Sequence, residues 1–188
     1  MIALLALAAA APSDLEETPM TTGPKAEITA TREPGAVVLQ WSVANPGSAP
    51  VWLADRLLVH TKKGAEAASE RAVVRQPPAE GAPLRITVGY TAPYGMPFQE
   101  LYPAVREVAP GSKATGTVRV PLPLASYHPM ETNPAALAEP TRAVVAIGWF
   151  ASAPETRELK LADRSTVSVL TAASARESQW LEVPVDWP

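Results

Sequence analysis

Proline is the feature that most constrains how this chain can fold. Of its 188 residues, 21 are prolines. Proline has no amide hydrogen to donate and a fixed φ, so it interrupts helices and is confined to the edges and ends of strands. A chain interrupted this often cannot form long helices, and we predict many short extended segments instead. The expected fold class is therefore all-β.

The stretch from residue 36 to residue 58 is the clearest strand-turn-strand unit. Its large apolar residues alternate with smaller or more polar ones, which predicts a strand with one face in the core. The core-facing residues are Val37, Leu39, Trp41 and Val43. The sequence Asn45-Pro46-Gly47-Ser48 then predicts a type II turn, and a second apolar run begins at Val51. This arrangement around a buried tryptophan is typical of the centre of an immunoglobulin-like β-sandwich.

One acidic residue interrupts the second run. Asp55 falls on the same face as Leu53 and Leu57, where a carboxylate is not expected. Either a β-bulge at Asp55-Arg56 turns the carboxylate away from the core, or the two residues pair with each other at a partly solvated position. The bulge is the simpler expectation.

Alternating or continuous apolar runs predict further strands, at residues 26–31, 84–90, 115–124 and 142–150. The last of these is apolar on both faces, as in a central strand. Pro121 and Pro123 place the strand at 115–124 on the edge of a sheet. The sequence from Asn133 and Pro134 to Pro140 predicts one or two helical turns.

These patterns together predict a single antiparallel two-sheet β-sandwich, immunoglobulin-like in character. About eight to ten short strands are expected, with at most one or two short helices, because turn signals separate the runs and no strand-helix alternation occurs. A β-barrel is the alternative architecture.

Two segments carry a family resemblance. WSVANPGSAPVWLADRL (41–57) and PGSKATGTVRVPLPL (110–124) resemble the "strand, Asn-x-Gly, strand" and "Pro-Gly, strand" pieces of bacterial immunoglobulin-like modules. These include the BsuPI-type proteinase-inhibitor domains and the CARDB-type adhesion domains. The resemblance covers about a fifth of the chain, and its turn chemistry is common to many sandwiches. It therefore implies a fold rather than a function.

The first eleven residues differ from the rest of the chain. Residues 1–11, MIALLALAAAA, are apolar but shorter than the roughly 20 residues that span a bilayer, so no membrane span is expected. They resemble the apolar core of a secretory signal peptide. We therefore expect a periplasmic or secreted protein, the alternative being a cytoplasmic protein with an N-terminal extension. Residues 12–25 are predicted to be a linker or mobile N-terminus, and residues 26–188 one β-sandwich domain.

Composition excludes several kinds of site. No cysteine is present, which excludes disulfides and thiolate metal sites. The net charge is −3 without long runs of like charge, so nucleic acid is not an expected partner. His60 and His128 lie too far apart for a local ligand pair, and no catalytic or phosphate-binding motif occurs. We expect no metal, no cofactor and no catalytic residue; an enzyme using His128 is a minority hypothesis.

A binding surface is the remaining candidate. Residues 91–103 combine aromatic side chains with prolines, and a stiff aromatic loop gives contact area at little cost in conformational entropy. Residues 127–130 would extend this surface if they lie at the same end. The predicted binding residues are Tyr94, Met96, Phe98, Tyr102, Tyr127 and His128. The alternative is that the aromatic side chains of residues 91–103 fill the open end of the core.

Two functions fit such a surface. The first is a non-catalytic exported module that recognises a protein partner, or belongs to an envelope assembly, through one loop end. The second is an inhibitor of a peptidase or other hydrolase that presents residues 91–103 as a rigid, substrate-like loop.

Overall fold

Most of the described chain is β-strand. The computed structural model describes residues 23–68, 70–75, 79, 81–89, 103–127 and 133–188. Strands account for 59% of the structure. The helical content of the described residues is one 3-10 turn, Ser174–Glu177. The predicted all-β, sandwich-like fold is confirmed.

Thirteen strands occur in the described residues, where the sequence predicted eight to ten. In chain order they are β1 (Lys25–Glu33), β2 (Ala36–Ala44), β3 (Val51–Arg56), β4 (Leu58–Thr61), β5 (Gly64–Ala67), β6 (Ala72–Arg75), β7 (Leu84–Val88), β8 (Ala104–Val108), β9 (Lys113–Pro121), β10 (Arg142–Phe150), β11 (Thr156–Lys160), β12 (Thr166–Leu170) and β13 (Gln179–Asp186). Part of the difference arises where one apolar run divides into β3 and β4, at Leu57.

Two sheets form the layers of the sandwich. The smaller sheet has the order β1-β2-β9, and β9 lies at its edge, as its prolines predicted. The larger sheet has the order β11-β12-β8-β3-β10-β7-β6, with β13 also paired to β10. The hairpin β4-β5 packs against β8 and β12 through Leu58 and Ala65. It lies on the same side as the smaller sheet, because its neighbour Ala104 shares a strand face with Val108 of the main core.

Strand β10 organises the larger sheet. β13 pairs antiparallel along nearly all of it, from Arg142 to Trp149. On its other edge β10 pairs first with β7, in parallel, and then with β3, antiparallel. The change of partner brings Gly89, just after β7, against β3: a Cβ on Gly89 would lie 2.2 Å from the carbonyl carbon of Asp55. With φ at +69°, this position requires glycine.

The main core lies between the two sheets. Every residue that the alternation of β2 assigned to the core is at most 5% exposed. The alternating apolar residues of β7 and β9 also lie in this core. Strand faces were therefore predicted correctly from period-2 patterns.

Two local predictions were wrong. Residues 133–140 form no helix; Ala136 instead makes a β-bridge with Ala125, because pairing with another segment overrides local helix propensity. Gly47 does not adopt the positive φ of a type II turn. The side chain of Asn45 holds that turn instead. Its Oδ1 accepts a hydrogen bond from the amide of Gly47, and its Nδ2 donates hydrogen bonds to the carbonyls of Ala49 and Val108.

Trp41 packs across a glycine on the neighbouring strand. Its cross-strand partner in β9 is Gly116. A Cβ on Gly116 would lie 2.4 Å from the indole ring, so the ring occupies the space that any larger side chain would need. The tryptophan and the glycine are therefore a matched pair.

We predict that Gly116→Val destabilises the fold by about 1–3 kcal/mol through overpacking. Trp41→Ala should cost about 3–5 kcal/mol, because it removes a large buried side chain. In the double variant the two losses should be less than additive, since the larger side chain introduced at position 116 can use the space left by the indole ring. Urea unfolding followed by circular dichroism measures all three values. Thr117→Ala changes an exposed residue next to Gly116 and is the control. Additive losses in the double variant would contradict the pairing of Trp41 with Gly116.

Candidate functional site

Tyr127 lies beside the edge of the larger sheet. Its amide donates to the carbonyl of Val74 in β6, and the amide of Val74 donates to the carbonyl of Tyr127, each at 2.9 Å. This bridge fixes the backbone of Tyr127 against β6. Its ring is half-buried and packs against the main core. The fold thus holds the one described residue of the predicted binding set in a defined position.

Two further segments complete a groove around Tyr127. The end of β9 approaches the segment before β6, where the amide of Arg119 donates to the carbonyl of Glu70 at 2.8 Å. On the other side, the amide of Ser126 donates to the carbonyl of Ala135, and the hydroxyl of Ser126 accepts the amide of Ala135, each at 2.8 Å. Three separate segments, at residues 70–74, 119–127 and 134–135, therefore converge here.

The groove between them has a volume of about 430 Å³ and is mainly apolar. Pro121, Pro123 and Pro134 contribute rigid apolar surface beside the ring of Tyr127. Such surfaces lose little conformational entropy when a ligand binds. The groove is large enough for a few side chains of an extended peptide.

Two arginines place charge in the groove. The Arg71 guanidinium carbon lies 5.3 Å from the centroid of the Tyr127 ring, and Arg71 Nη1 donates to the Tyr127 hydroxyl at 3.1 Å. Arg119 is ion-paired with Glu33, at 2.8 Å between Nη2 and Oε2. Arg71 forms no ion pair with any other described residue.

The other predicted binding residues lie outside the described part of the chain: Tyr94, Met96, Phe98, Tyr102 and His128. Their role, and the expectation that the two loops form one patch, stay predictions. The described residues that precede the two loops are close in the fold. Val88 and Tyr127 lie on opposite sides of β6, paired with Ala72 and Val74 respectively.

Sequence reasoning missed most of the groove. Arg71 lies 56 residues before Tyr127, at the start of a segment predicted only as a strand (71–75), and nothing in the sequence relates it to Tyr127. Only the pair Pro121 and Pro123 gave a usable signal, since it predicted that β9 ends at a sheet edge, where a groove wall can form.

A cluster of polar side chains lies between the two sheets, away from the groove. The register of β3 against β8 shifts between Leu53 and Arg56, which is the expected bulge, yet Asp55 stays buried. Its Oδ2 lies 2.5 Å from Nη2 of Arg106 in β8. Arg106 also stacks over Trp41, 5.6 Å from the ring centroid, and donates to the carbonyl of Thr115 in β9. Asp55 thus pairs with Arg106, and the cluster connects the two layers.

Burial raises the pKa of the Asp55 carboxyl above its ordinary value of 3.8, although Arg106, and then Arg56, act in the opposite direction. Within the described residues, Asp55 Oδ1 has no hydrogen-bond partner, and neither has Nε of either arginine. The charged form of Asp55 is therefore costly to the folded state. We assign this cluster to the joining of the two sheets.

The described residues include no group of three or more histidine, aspartate or glutamate side chains placed to hold a metal ion. Nor does any helix there have the length and apolar character needed to cross a membrane. Comparisons of the chain with family profiles, curated proteins and solved structures find no match. The function is therefore inferred from geometry.

We predict an unusual pH dependence from Asp55. Because its folded-state pKa is raised, the folded protein binds the proton more tightly than the unfolded chain does. The free energy of unfolding of the unaltered protein, relative to Asp55→Asn, should rise as the pH falls through that raised pKa and level off below 3.8. Urea unfolding of both proteins between about pH 7 and pH 2 measures the difference on both sides of the ordinary aspartate pKa.

Asp163 is the matched control. It is exposed, and hydrogen bonds from the hydroxyl and amide of Ser165 lower its pKa. Relative to Asp163→Asn, the unaltered protein should therefore lose stability as the pH falls below 3.8 through the lowered pKa, the opposite sign. The same sign for both residues would contradict the assignment for Asp55.

Proposed function

We propose that this chain is a non-catalytic binding module that holds an extended segment of a protein partner in the groove at Tyr127. The observation that carries the proposal is the groove itself: an aromatic ring and three prolines on a rigid sheet edge, with a fixed arginine beside them. Aromatic and proline surfaces of this kind recognise extended peptides by shape and apolar contact.

The way in which the walls of the groove are held supports this proposal. β6, the 124–127 segment and residues 135–137 hold the walls through backbone hydrogen bonds. A wall fixed in this way does not have to be ordered when a partner binds, so less binding free energy is lost.

We also propose that the module is an immunoglobulin-like domain that acts in the periplasm or outside the cell. The signal-like residues 1–11 support this localisation, and the turn motifs support the domain type.

We predict that Tyr127→Ser strongly weakens retention of the partner. Truncating a central interface tyrosine costs about 2 kcal/mol or more, which is about 30-fold in affinity. Affinity capture from the native cell with mild crosslinking, followed by a binding titration of the recovered partner, measures the loss. If the partner is a hydrolase and its activity falls, the module acts as an inhibitor.

Two variants control this experiment. Tyr127→Phe keeps the ring and loses only the hydroxyl that accepts from Arg71, so it should bind much more strongly than Tyr127→Ser. Thr117→Ala changes an exposed residue that does not line the groove and should bind normally. Circular dichroism confirms that each variant is folded. Equal retention of the partner by folded Tyr127→Ser and the unaltered protein would refute the proposal.

A further inference from the structure

Three arginines stack on aromatic rings in the described part of the chain. Arg85 lies over Trp180, Arg106 over Trp41 and Arg71 over Tyr127, at 5.3–5.6 Å from the ring centroids. A stacked guanidinium is held in a defined orientation, which leaves N–H groups at its edge free to bind a carboxylate.

Two of the three arginines bind a carboxylate within the protein, each through one nitrogen–oxygen contact. Arg85 pairs with Glu182 at 2.6 Å, and Arg106 pairs with Asp55 at 2.5 Å. Arg71 has the same stacking and no carboxylate among the described residues. Of the five N–H donors of its guanidinium, the hydroxyl of Tyr127 engages one nitrogen.

The other charges around the groove define what Arg71 can bind. Arg119 is neutralised by Glu33, so it adds little net attraction for an anion. Glu70 also lines the groove; its side chain is exposed and has no ion pair with a described residue. A ligand carboxylate would be attracted by Arg71 and weakly repelled by Glu70.

We propose that Arg71 is the anchor for a carboxylate of the bound partner. The ligand is an extended peptide with an aspartate, a glutamate or its own C-terminal carboxylate next to apolar or proline residues. The apolar residues lie against Pro121, Pro123 and Pro134 while the carboxylate meets the guanidinium over Tyr127. This inference rests on the proposed function, since it names the chemistry of the peptide that the groove holds.

The test uses phage-displayed random 12-residue peptides as the probe. The library is panned on the unaltered protein after depletion on folded Tyr127→Ser, with peptides that end in a free C-terminus and peptides whose C-terminus is fused to the coat protein displayed separately. Enriched peptides are synthesised and titrated by fluorescence polarisation against the unaltered protein, Arg71→Gln and Glu70→Gln. The two substitutions lie at adjacent positions, introduce the same residue and change the net charge by one unit in opposite directions.

We expect enriched peptides to carry an acidic residue or a free C-terminus beside apolar residues. Arg71→Gln should weaken their binding about 10-fold, because a charge-assisted pair of hydrogen bonds is lost. Glu70→Gln should strengthen binding by up to about 3-fold, as expected for an exposed charge. Binding to the unaltered protein should weaken as salt is added, and this dependence should be smaller in Arg71→Gln.

The outcomes separate the two proposals. If Tyr127-dependent peptides are enriched without an excess of carboxylates, or bind Arg71→Gln as well as the unaltered protein, the anchor is refuted and the groove stands. If enriched peptides are basic and Glu70→Gln weakens them, the groove selects cations and the anchor is again refuted. If no Tyr127-dependent peptide is enriched, both proposals fail.

Discussion

The guanidinium of Arg106 makes the polar contact that links the two layers of the sandwich. It reaches Asp55 in the larger sheet, the ring of Trp41 in the smaller sheet and the carbonyl of Thr115 beside it. Asp55 lies at the bulge of β3, against Gly89, where β10 exchanges β7 for β3 as its partner. A slip of one residue in β3 would move Asp55 to the opposite face and leave Arg106 unpaired, so this polar contact favours a single register.

The strand faces could be predicted from the sequence because they depend on local alternation. Trp41 and Val43 alternate with polar residues in β2, and the buried side is the one that alternation assigned. The same holds for Leu84 and Ile86 in β7. Turn chemistry was a less consistent guide: Gly35 and Gly111 have the positive φ that a Pro-Gly sequence indicates, whereas Gly47 does not. Period and turn chemistry act over a few residues, within the reach of a single sequence.

Interactions between distant segments could not be predicted in this way. Asp55 drew attention as an acid on an apolar face, but Arg106, its partner, lies 51 residues later and gave no signal. The residues after Asn133 are good helix formers, yet they form no helix because Ala136 pairs with Ala125 in a β-bridge. Tyr127 was predicted as a binding residue from its aromatic loop, whereas the groove around it depends on three segments that only the folded chain brings together.

Comparison of the stacked arginines distinguishes structure from recognition. Arg106 and Arg71 have the same contact with an aromatic ring, but their surroundings differ. Arg106 lies between the layers with the buried Asp55 as its counter-charge, so its charge is neutralised within the fold. Arg71 is exposed at a sheet edge, is oriented by Tyr127 and has no counter-charge among the described residues. A guanidinium that is already oriented can bind a carboxylate with less loss of entropy than a mobile one. For this reason we place recognition at Arg71 and the joining of the sheets at Arg106.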